Sequence, residues 1–206
     1  MEWKENPGMF TTRDLVLVSV FSGVFLAYGY ASGVSLPQAI THSLDLFFLI
    51  ATLFTILALE IRQSWSATLL GTITGLIFLG TPGAPAPWHI TLALIGNGLV
   101  FDGYLRLMSR KTIPPSKWHM VGAASLGNLV MAIVGLSALQ ATTVQTSTEP
   151  LPLLPWAGLV VVTGFQGAAG AQFGIAVVRR LRVSTGNQRR TLSLETSTMQ
   201  PGQIRQ

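Results

Sequence analysis

The sequence predicts an all-α integral membrane protein with six transmembrane helices and both termini in the cytoplasm. Only 10% of its 206 residues are charged, whereas soluble domains carry about 25% Asp, Glu, Lys and Arg. Several long segments contain none of these residue types, and each exceeds the roughly 20 apolar residues that cross a bilayer. They are residues 15–44, 63–101, 118–148 and 150–178. These features exclude a soluble enzyme and a disordered protein, and the lack of cysteine excludes a disulfide scaffold.

Proline, glycine and charged residues divide these segments into candidate spans. The spans are residues 14–33, 39–60, 65–80, 87–107, 119–140 and 153–178. Span two has the shortest charge-free core, because Asp45 and Glu60 lie near its ends, and the orientation described below requires it. Spans three and four come from one apolar run, which a Pro-rich turn at residues 80–87 must interrupt.

Spans five and six each begin after a connection that carries charge or proline. Span five starts after Lys117, and span six starts after Pro152 and ends before the arginines that begin at Arg179. Beyond this point the chain is rich in Ser, Thr, Gln and Arg. We expect residues 1–180 to form the transmembrane domain and residues 181–206 to form a basic, disordered cytoplasmic tail. The tail is either solvated or attracted to the anionic leaflet.

The distribution of basic residues predicts the orientation. With the N-terminus inside, all 13 Lys and Arg residues lie on cytoplasmic segments. The three opposite connections, residues 34–38, 81–86 and 141–152, contain none. This is the positive-inside pattern, in which basic loops stay in the cytoplasm. The sequence therefore predicts a multi-pass protein of the cell membrane.

Span one carries a row of small residues on one helix face, at steps of four residues. The row consists of Ser19, Gly23, Ala27 and Ala31. Such a row lets another helix approach closely, so it either packs inside the bundle or docks a partner protein. Gly71 with Gly75 and Gly170 with Gly174 repeat the spacing, and for these pairs we expect internal packing.

Three amide side chains lie near the middle of spans four, five and six: Asn97, Asn128 and Gln166. A polar group in hydrocarbon costs several kcal/mol (about 4 to 8 on the strictest scale) unless it is hydrogen-bonded. These side chains must therefore face the bundle interior. There they either bond one another or line a wet cavity.

Aromatic residues cluster at the outer end of the same spans and of span one. The residues expected around a pocket there are Tyr28, Tyr30, Trp88, His89 and Trp156. Aromatic walls above a few amides suit a planar heteroaromatic solute. The alternatives are an aromatic belt at the membrane surface and purely structural amide bonds. Asp45 either meets water, pairs with His42 or touches a cationic ligand.

No enzymatic pattern stands out in the chain. There is no HExxH, GxSxG or phosphate-binding lysine loop, and the histidines are dispersed. We therefore expect no catalytic residue, no metal, no cofactor and no nucleic-acid partner. Any ATP-driven role requires another subunit.

Residues 11–27 open with the basic and acidic pair Arg13 and Asp14 and continue into the small-residue row. In this feature, in size and in six-span plan, the chain resembles the substrate-binding (S) component of energy-coupling factor vitamin transporters. The resemblance covers about residues 10–180. It implies that the row faces a transmembrane coupling subunit, that two ATPase subunits drive transport, and that the solute site lies near the outer surface.

The resemblance implies a non-catalytic subunit that binds a vitamin-like solute with high affinity and delivers it inward. Because the outer connections lack basic residues, we expect a neutral or cationic ring compound. In this scheme the aromatic residues stack on the ring, the three amides bind its heteroatoms, and Asp45 or His89 adjusts the charge. Two alternatives remain: an accessory subunit of a larger membrane complex, and an intramembrane enzyme whose catalytic group is unrecognised.

Overall fold

The chain folds into helices joined by short connections, as a computed structural model shows. The structure describes residues 10–35, 39–61, 63–80, 87–108, 115–145 and 153–198. Side chains are described over residues 10–31, 45–61, 63–80, 88–108, 115–138 and 157–184. The helices are α1 (Thr12–Ser35), α2 (Ala39–Ile61), α3 (Ser66–Leu79), α4 (Pro87–Met108), α5 (Lys117–Gln145) and α6 (Leu153–Thr198). The predicted all-helical class is therefore confirmed.

Four helices contain segments long and apolar enough to cross a membrane. These segments are Thr12–Ala31, Trp88–Met108, Lys117–Ala138 and Ala157–Ser184. Helix α3 is apolar but shorter, with 14 residues. Large apolar side chains such as Val16, Leu92 and Phe165 are exposed, whereas some polar side chains, such as Thr55 and Asn97, are buried. An exposed apolar surface, with polar side chains buried beside the apolar core, is the distribution expected of a membrane protein.

Helices α2 to α6 close into a ring, and α1 packs outside it. The ring follows the contacts α2 with α3, α3 with α4, α4 with α5, α5 with α6, and α6 back to α2. Helix α2 also touches α5 across the ring, and within the described residues α1 packs against α2 and α3. Ile50, Phe54 and Leu57 of α2 are fully buried, and the Phe54 ring packs edge-on against Phe101 at 5.6 Å. Helix α2 therefore forms the centre of the core.

The helices alternate in direction along the chain. Neighbours α3 and α4, α4 and α5, and α5 and α6 run antiparallel, whereas α1 with α3 and α2 with α6 run parallel. The pairs that define these directions are Gly71 with Leu94, Gly75 with Thr91, Gly122 with Tyr104, Gly127 with Asn97, Gly164 with Leu129, Gly167 with Ala124, Ser22 with Thr74, Phe25 with Phe78, Thr52 with Gly170, and Leu59 with Arg182.

One end of the bundle, the basic end, therefore carries the starts of α1, α3 and α5, the ends of α2 and α4, and the part of α6 around Arg179. Every Lys and Arg whose side chain is described lies there: Arg13, Arg106, Lys117, Arg179, Arg180 and Arg182. The other end, the aromatic end, carries Tyr28, Tyr30, Asp45, Trp88 and His89. The described basic side chains thus all lie at one end of the bundle.

Local capping explains where α1 and α5 begin. At α1 the Thr11 backbone N–H donates to Asp14 Oδ2 at 2.9 Å, and the Asp14 N–H donates to Thr11 Oγ1 at 3.3 Å. This reciprocal pair satisfies amides that have no partner within the helix. At α5 the Ser116 hydroxyl oxygen accepts from the His119 N–H at 3.4 Å. Asp14, expected as part of an acidic and basic pair, is thus a capping residue.

Helix α6 is longer than predicted. The sequence suggests an end near residue 178 followed by a disordered tail, but the helix continues through the arginines to Thr198. The helix therefore includes residues 181–198 of the predicted tail, and residues 199–206 lie outside the described residues. The physical reason is that no proline occurs between residues 156 and 200, and the polar residues present there tolerate helix with costs of only about 0.7 kcal/mol or less, apart from Gly186.

Candidate functional site

The two buried asparagines meet between α4 and α5. Asn97 Nδ2 donates to Asn128 Oδ1 at 3.1 Å and also lies 3.2 Å from Met131 Sδ. Both asparagines have 0% exposure. Of the two arrangements considered for the mid-span amides, this pair adopts the first, in which they bond each other.

The Asn128 side chain links α5 to three other helices. Its Nδ2 atom donates to the carbonyl oxygens of Phe47 on α2 at 2.9 Å and of Thr163 on α6 at 3.3 Å, while its Oδ1 accepts from Asn97 on α4. One side chain therefore joins four helices at the centre of the ring. Because both of its donors and its acceptor are used, Asn128 has little remaining capacity for a ligand.

Two amide oxygens near this position have no donor in the described part of the chain. They are Asn97 Oδ1 and Gln166 Oε1, and both atoms are buried. Asn97 Oδ1 lies against Gly127, at the place where a side chain would begin. No described hydrogen bond joins Gln166 to the asparagines, although it lies one turn after Thr163. Both oxygens can accept a hydrogen bond from a solute or from water.

At the aromatic end, the expected pocket residues are only partly brought together. Trp88 packs edge-on against His89, with ring centroids 6.0 Å apart. His89 Nδ1 is buried and has no partner within the described ranges. Trp88, Tyr28 and Tyr30 are exposed, and so is Asp45. The side chains of Trp156 and His42 lie outside the residues that the structure describes.

The small-residue row of α1 faces away from the bundle. Ser19, Gly23, Ala27 and Ala31 are all exposed, and a Cβ atom built on Gly23 would meet nothing within 4 Å. The opposite face of α1 is buried through Val18 and Phe25. On that same buried face, Ser22 accepts a hydrogen bond from Thr74 of α3 at 3.1 Å. Internal packing is therefore not the role of this row within the chain.

The other glycine pairs line contacts between helices, as expected. A Cβ atom on Gly71 would run into the Leu94 carbonyl of α4, and one on Gly75 would lie 3.0 Å from Thr91 Cγ2. On α6, a Cβ atom on Gly170 would run into the Phe48 carbonyl of α2. A Cβ atom on Gly174 would lie 3.0 Å from the Thr52 carbonyl oxygen. Backbones approach closely at these positions because glycine has no side chain.

The acids near the basic end have partners that the sequence did not indicate. Arg106 follows Asp102 by one helical turn in the sequence, but Asp102 Oδ2 accepts from the Thr68 N–H at 2.7 Å and from Thr68 Oγ1 at 2.8 Å. Arg106 instead lies over the Trp65 ring, 5.7 Å from its centroid. Glu60 pairs with Arg182 of α6 at 3.3 Å. A cross-helix cap of this kind leaves no spacing signal in the sequence.

Neither metal ligands nor relatives assign a chemistry to the bundle. Within the described ranges, no three His, Asp or Glu side chains lie close enough together to hold a metal ion. Comparisons with protein-family models, with curated proteins and with solved structures find no match to this chain.

Proposed function

We propose that this chain is the solute-binding subunit of a membrane transport complex, with the plan of an energy-coupling factor S component. In this proposal six helices span the cell membrane and both termini are cytoplasmic. The observation that carries it is the outward-facing small-residue row on α1, a helix that packs outside an otherwise closed ring. In this proposal the chain catalyses no reaction and needs no cofactor. Besides the solute, it contacts the lipid bilayer and its protein partners.

Two features of the fold support the six-span orientation. The helices alternate in direction, so each connection lies on the opposite side from the last. Every described Lys and Arg lies at the basic end, and basic segments are retained on the cytoplasmic side. The aromatic end then faces outward, where the proposed solute enters.

The exposed row suits a partner helix rather than lipid alone. Ser19 Oγ donates to the Leu15 carbonyl of its own helix at 2.9 Å, so the row presents no unsatisfied hydroxyl. Exposed valines at positions 16, 20 and 24 border the row. Valine is stiff about χ1, so packing it costs little side-chain entropy. A shallow groove beside stiff ridges is the surface on which membrane helices associate. In this proposal the occupant is the transmembrane coupling subunit, which carries two ATPase subunits.

The unsatisfied acceptors define the proposed solute. Asn97 Oδ1, Gln166 Oε1 and His89 Nδ1 are buried without a described donor. A solute that supplies N–H or O–H groups would satisfy them, and Trp88 and Tyr28 would supply flat apolar surface at the entrance. The proposed class is a neutral or cationic heteroaromatic vitamin or vitamin precursor, with Asp45 as the acid nearest the outer surface.

The docking part of the proposal is tested by paired leucine substitutions. Gly23→Leu fills the groove of α1, whereas Gly158→Leu places the same side chain on an exposed glycine of α6 that also meets nothing within 4 Å. We expect the coupling subunit and both ATPases to co-purify with the wild type and with Gly158→Leu. Gly23→Leu should reduce their recovery at least about tenfold, because one blocked contact worth about 1.4 kcal/mol changes binding tenfold. Equal recovery with both variants would refute docking through this face.

The solute part is tested by mass spectrometry of small molecules released from the purified full-length protein. Gln166→Leu removes a buried acceptor, and Gln172→Leu makes the same change at an exposed position of the same helix. We expect one stoichiometric compound with N–H or O–H donors from the wild type and from Gln172→Leu, and none from Gln166→Leu. A protein that is empty in all three forms would contradict solute binding.

A second candidate, an accessory subunit of a larger membrane complex, is favoured by the hydrogen bonding of Asn128. An amide that uses both N–H donors and one acceptor position on the protein itself acts as a structural tie and needs no solute. Under this alternative the α1 groove would still bind a protein, but no ATPase would co-purify and no small molecule would be released. The two experiments above therefore separate the candidates.

A further inference from the structure

We propose that a groove between α5 and α6 at the basic end binds one anionic phospholipid through its phosphodiester headgroup. The groove has a volume of about 410 Å³. Its lining combines three cationic residues with apolar and aromatic ones: Lys117, Trp118, Val121, Gln172, Ile175, Ala176, Arg179 and Arg180. This inference concerns a site apart from the proposed solute pocket and does not depend on the transport function.

The charges of the groove lack acidic partners. No Asp or Glu among the residues with described side chains lines it. Arg179 and Arg180 are exposed and make no ion pair among the described residues, whereas the nearby Arg182 is held by Glu60 at 3.3 Å. The Lys117 ammonium lies over the Trp118 ring at 4.9 Å from its centroid, which leaves its own charge uncompensated. Like charges close together repel one another, and an anion bound between them replaces this repulsion with attraction.

The groove is also amphipathic along its length. Val121, Ile175 and Ala176 lie on the side toward the middle of the helices, and Arg179 and Arg180 lie toward the end of α6. A second, smaller groove of about 330 Å³ adjoins it and shares both arginines, with Val183 and Ser184. Both arginines therefore border apolar side chains on two sides, Ile175 and Ala176 in the first groove and Val183 in the second.

This layout matches a phospholipid better than a free ion. Both helices carry candidate spans, Lys117–Ala138 and Ala157–Ser184, so the groove lies where a span meets the membrane surface. Trp118 is 67% exposed at the start of α5, and exposed tryptophans in membrane proteins lie at headgroup depth. The cations would face the phosphodiester while the apolar side chains contact an acyl chain. Basic pockets between membrane helices bind anionic headgroups by this combination.

The test uses native mass spectrometry of the full-length protein in detergent, with phosphatidylglycerol and phosphatidylcholine of the same acyl chains added separately. The double variant Arg179→Gln/Arg180→Gln removes two groove charges. The matched control Arg13→Gln/Arg106→Gln removes two charges from the same end of the bundle but outside the groove. A third variant, Ala176→Trp, fills the groove without changing its charge.

We expect the wild type and the control to retain one phosphatidylglycerol in preference to phosphatidylcholine. The groove variant should bind phosphatidylglycerol roughly 30-fold more weakly, from the contribution of each arginine near an anionic surface. Ala176→Trp should also weaken phosphatidylglycerol binding. Because this variant keeps every charge, such a loss would show that binding depends on the groove and not on surface charge alone. Equal affinity for both lipids, or equal loss in the groove and control variants, would overturn the proposal. If millimolar inorganic phosphate displaces the lipid at constant ionic strength, the groove is a site for free phosphate, and the phospholipid proposal is refuted.

Discussion

Asp102 near the end of α4 caps the start of α3 by accepting both the backbone N–H and the hydroxyl of Thr68, at 2.7 and 2.8 Å. Helix α3 needs this partner because Trp65, which precedes its first residue, makes no side-chain capping bond. Trp65 also has a φ of 73°, an uncommon conformation for a residue other than glycine. An acid on one helix therefore completes the first turn of another.

Asp102→Ala should destabilise the protein by about 1 to 3 kcal/mol, because it leaves a buried helix N–H without an acceptor. Thr68→Val should cost less, about 1 kcal/mol, because it removes the hydroxyl but keeps the backbone bond. Thermal unfolding of both variants in the same detergent measures these two losses of stability. The control is Asp14→Ala at the exposed start of α1, for which we expect about 0.5 to 1 kcal/mol. A loss at Asp102 no larger than at Asp14 would contradict the cap.

The asparagine pair predicts unequal and coupled losses of stability. Asn128→Ala should cost more than Asn97→Ala, because Asn128 also holds the carbonyls of Phe47 and Thr163. A double-mutant cycle should give a coupling of about 0.6 kcal/mol, the average for side-chain bonds between membrane helices. Unfolding of the two single variants and the double variant measures this quantity. Strictly additive losses would show that the two amides do not interact.

A single methyl group should distinguish buried from exposed glycines on α6. Gly170→Ala introduces a Cβ atom against the Phe48 carbonyl and 3.0 Å from Ala51 Cβ, so we expect a loss of about 1 to 3 kcal/mol. Gly158→Ala meets open space and should be neutral, or stabilising by up to about 1 kcal/mol. Melting temperatures in the same detergent provide the comparison. If the two substitutions change the melting temperature equally, α2 and α6 are farther apart at Gly170 than this structure shows.

Helix α3 provides the sharpest test of the six-span orientation, because it has only 14 residues. At 1.5 Å per residue it is about 21 Å long, shorter than the roughly 30 Å hydrocarbon core. The chain lacks cysteine, so Ser64→Cys and Gly80→Cys place unique thiols just outside its two ends. We expect a membrane-impermeant maleimide to label Gly80→Cys in intact cells and Ser64→Cys only after permeabilisation. Labelling of both thiols from one side would show that α3 does not cross.

Helices α1 to α5 could be predicted closely from the sequence because their limits depend on charge and proline, which are local signals, whereas α6 continues past its arginines. The meeting of Asn97 and Asn128 followed from the cost of leaving an amide in hydrocarbon. Gln166 did not join them, since it lies about 60° around α6 from Thr163, which faces Asn128. The rotation of each helix and the closure of α2 against α6 depend on packing between distant residues. The partner of Asp102 also depends on such packing, because only the register of α3 against α4 places Thr68 beside it.

The closure of the ring has a consequence for biogenesis. The Thr52 hydroxyl donates to the Gly170 carbonyl, a residue 118 positions later, at 3.1 Å. At about 5 to 20 residues per second, a ribosome needs about 6 to 24 s to synthesise the intervening chain. Throughout that interval the central helix has been made but its last neighbour has not, so its hydroxyls bond only to its own carbonyls, as Thr55 does at 2.8 Å. The bundle is therefore completed only when α6 leaves the ribosome, and a chain interrupted before residue 170 would expose the centre of its own core to lipid.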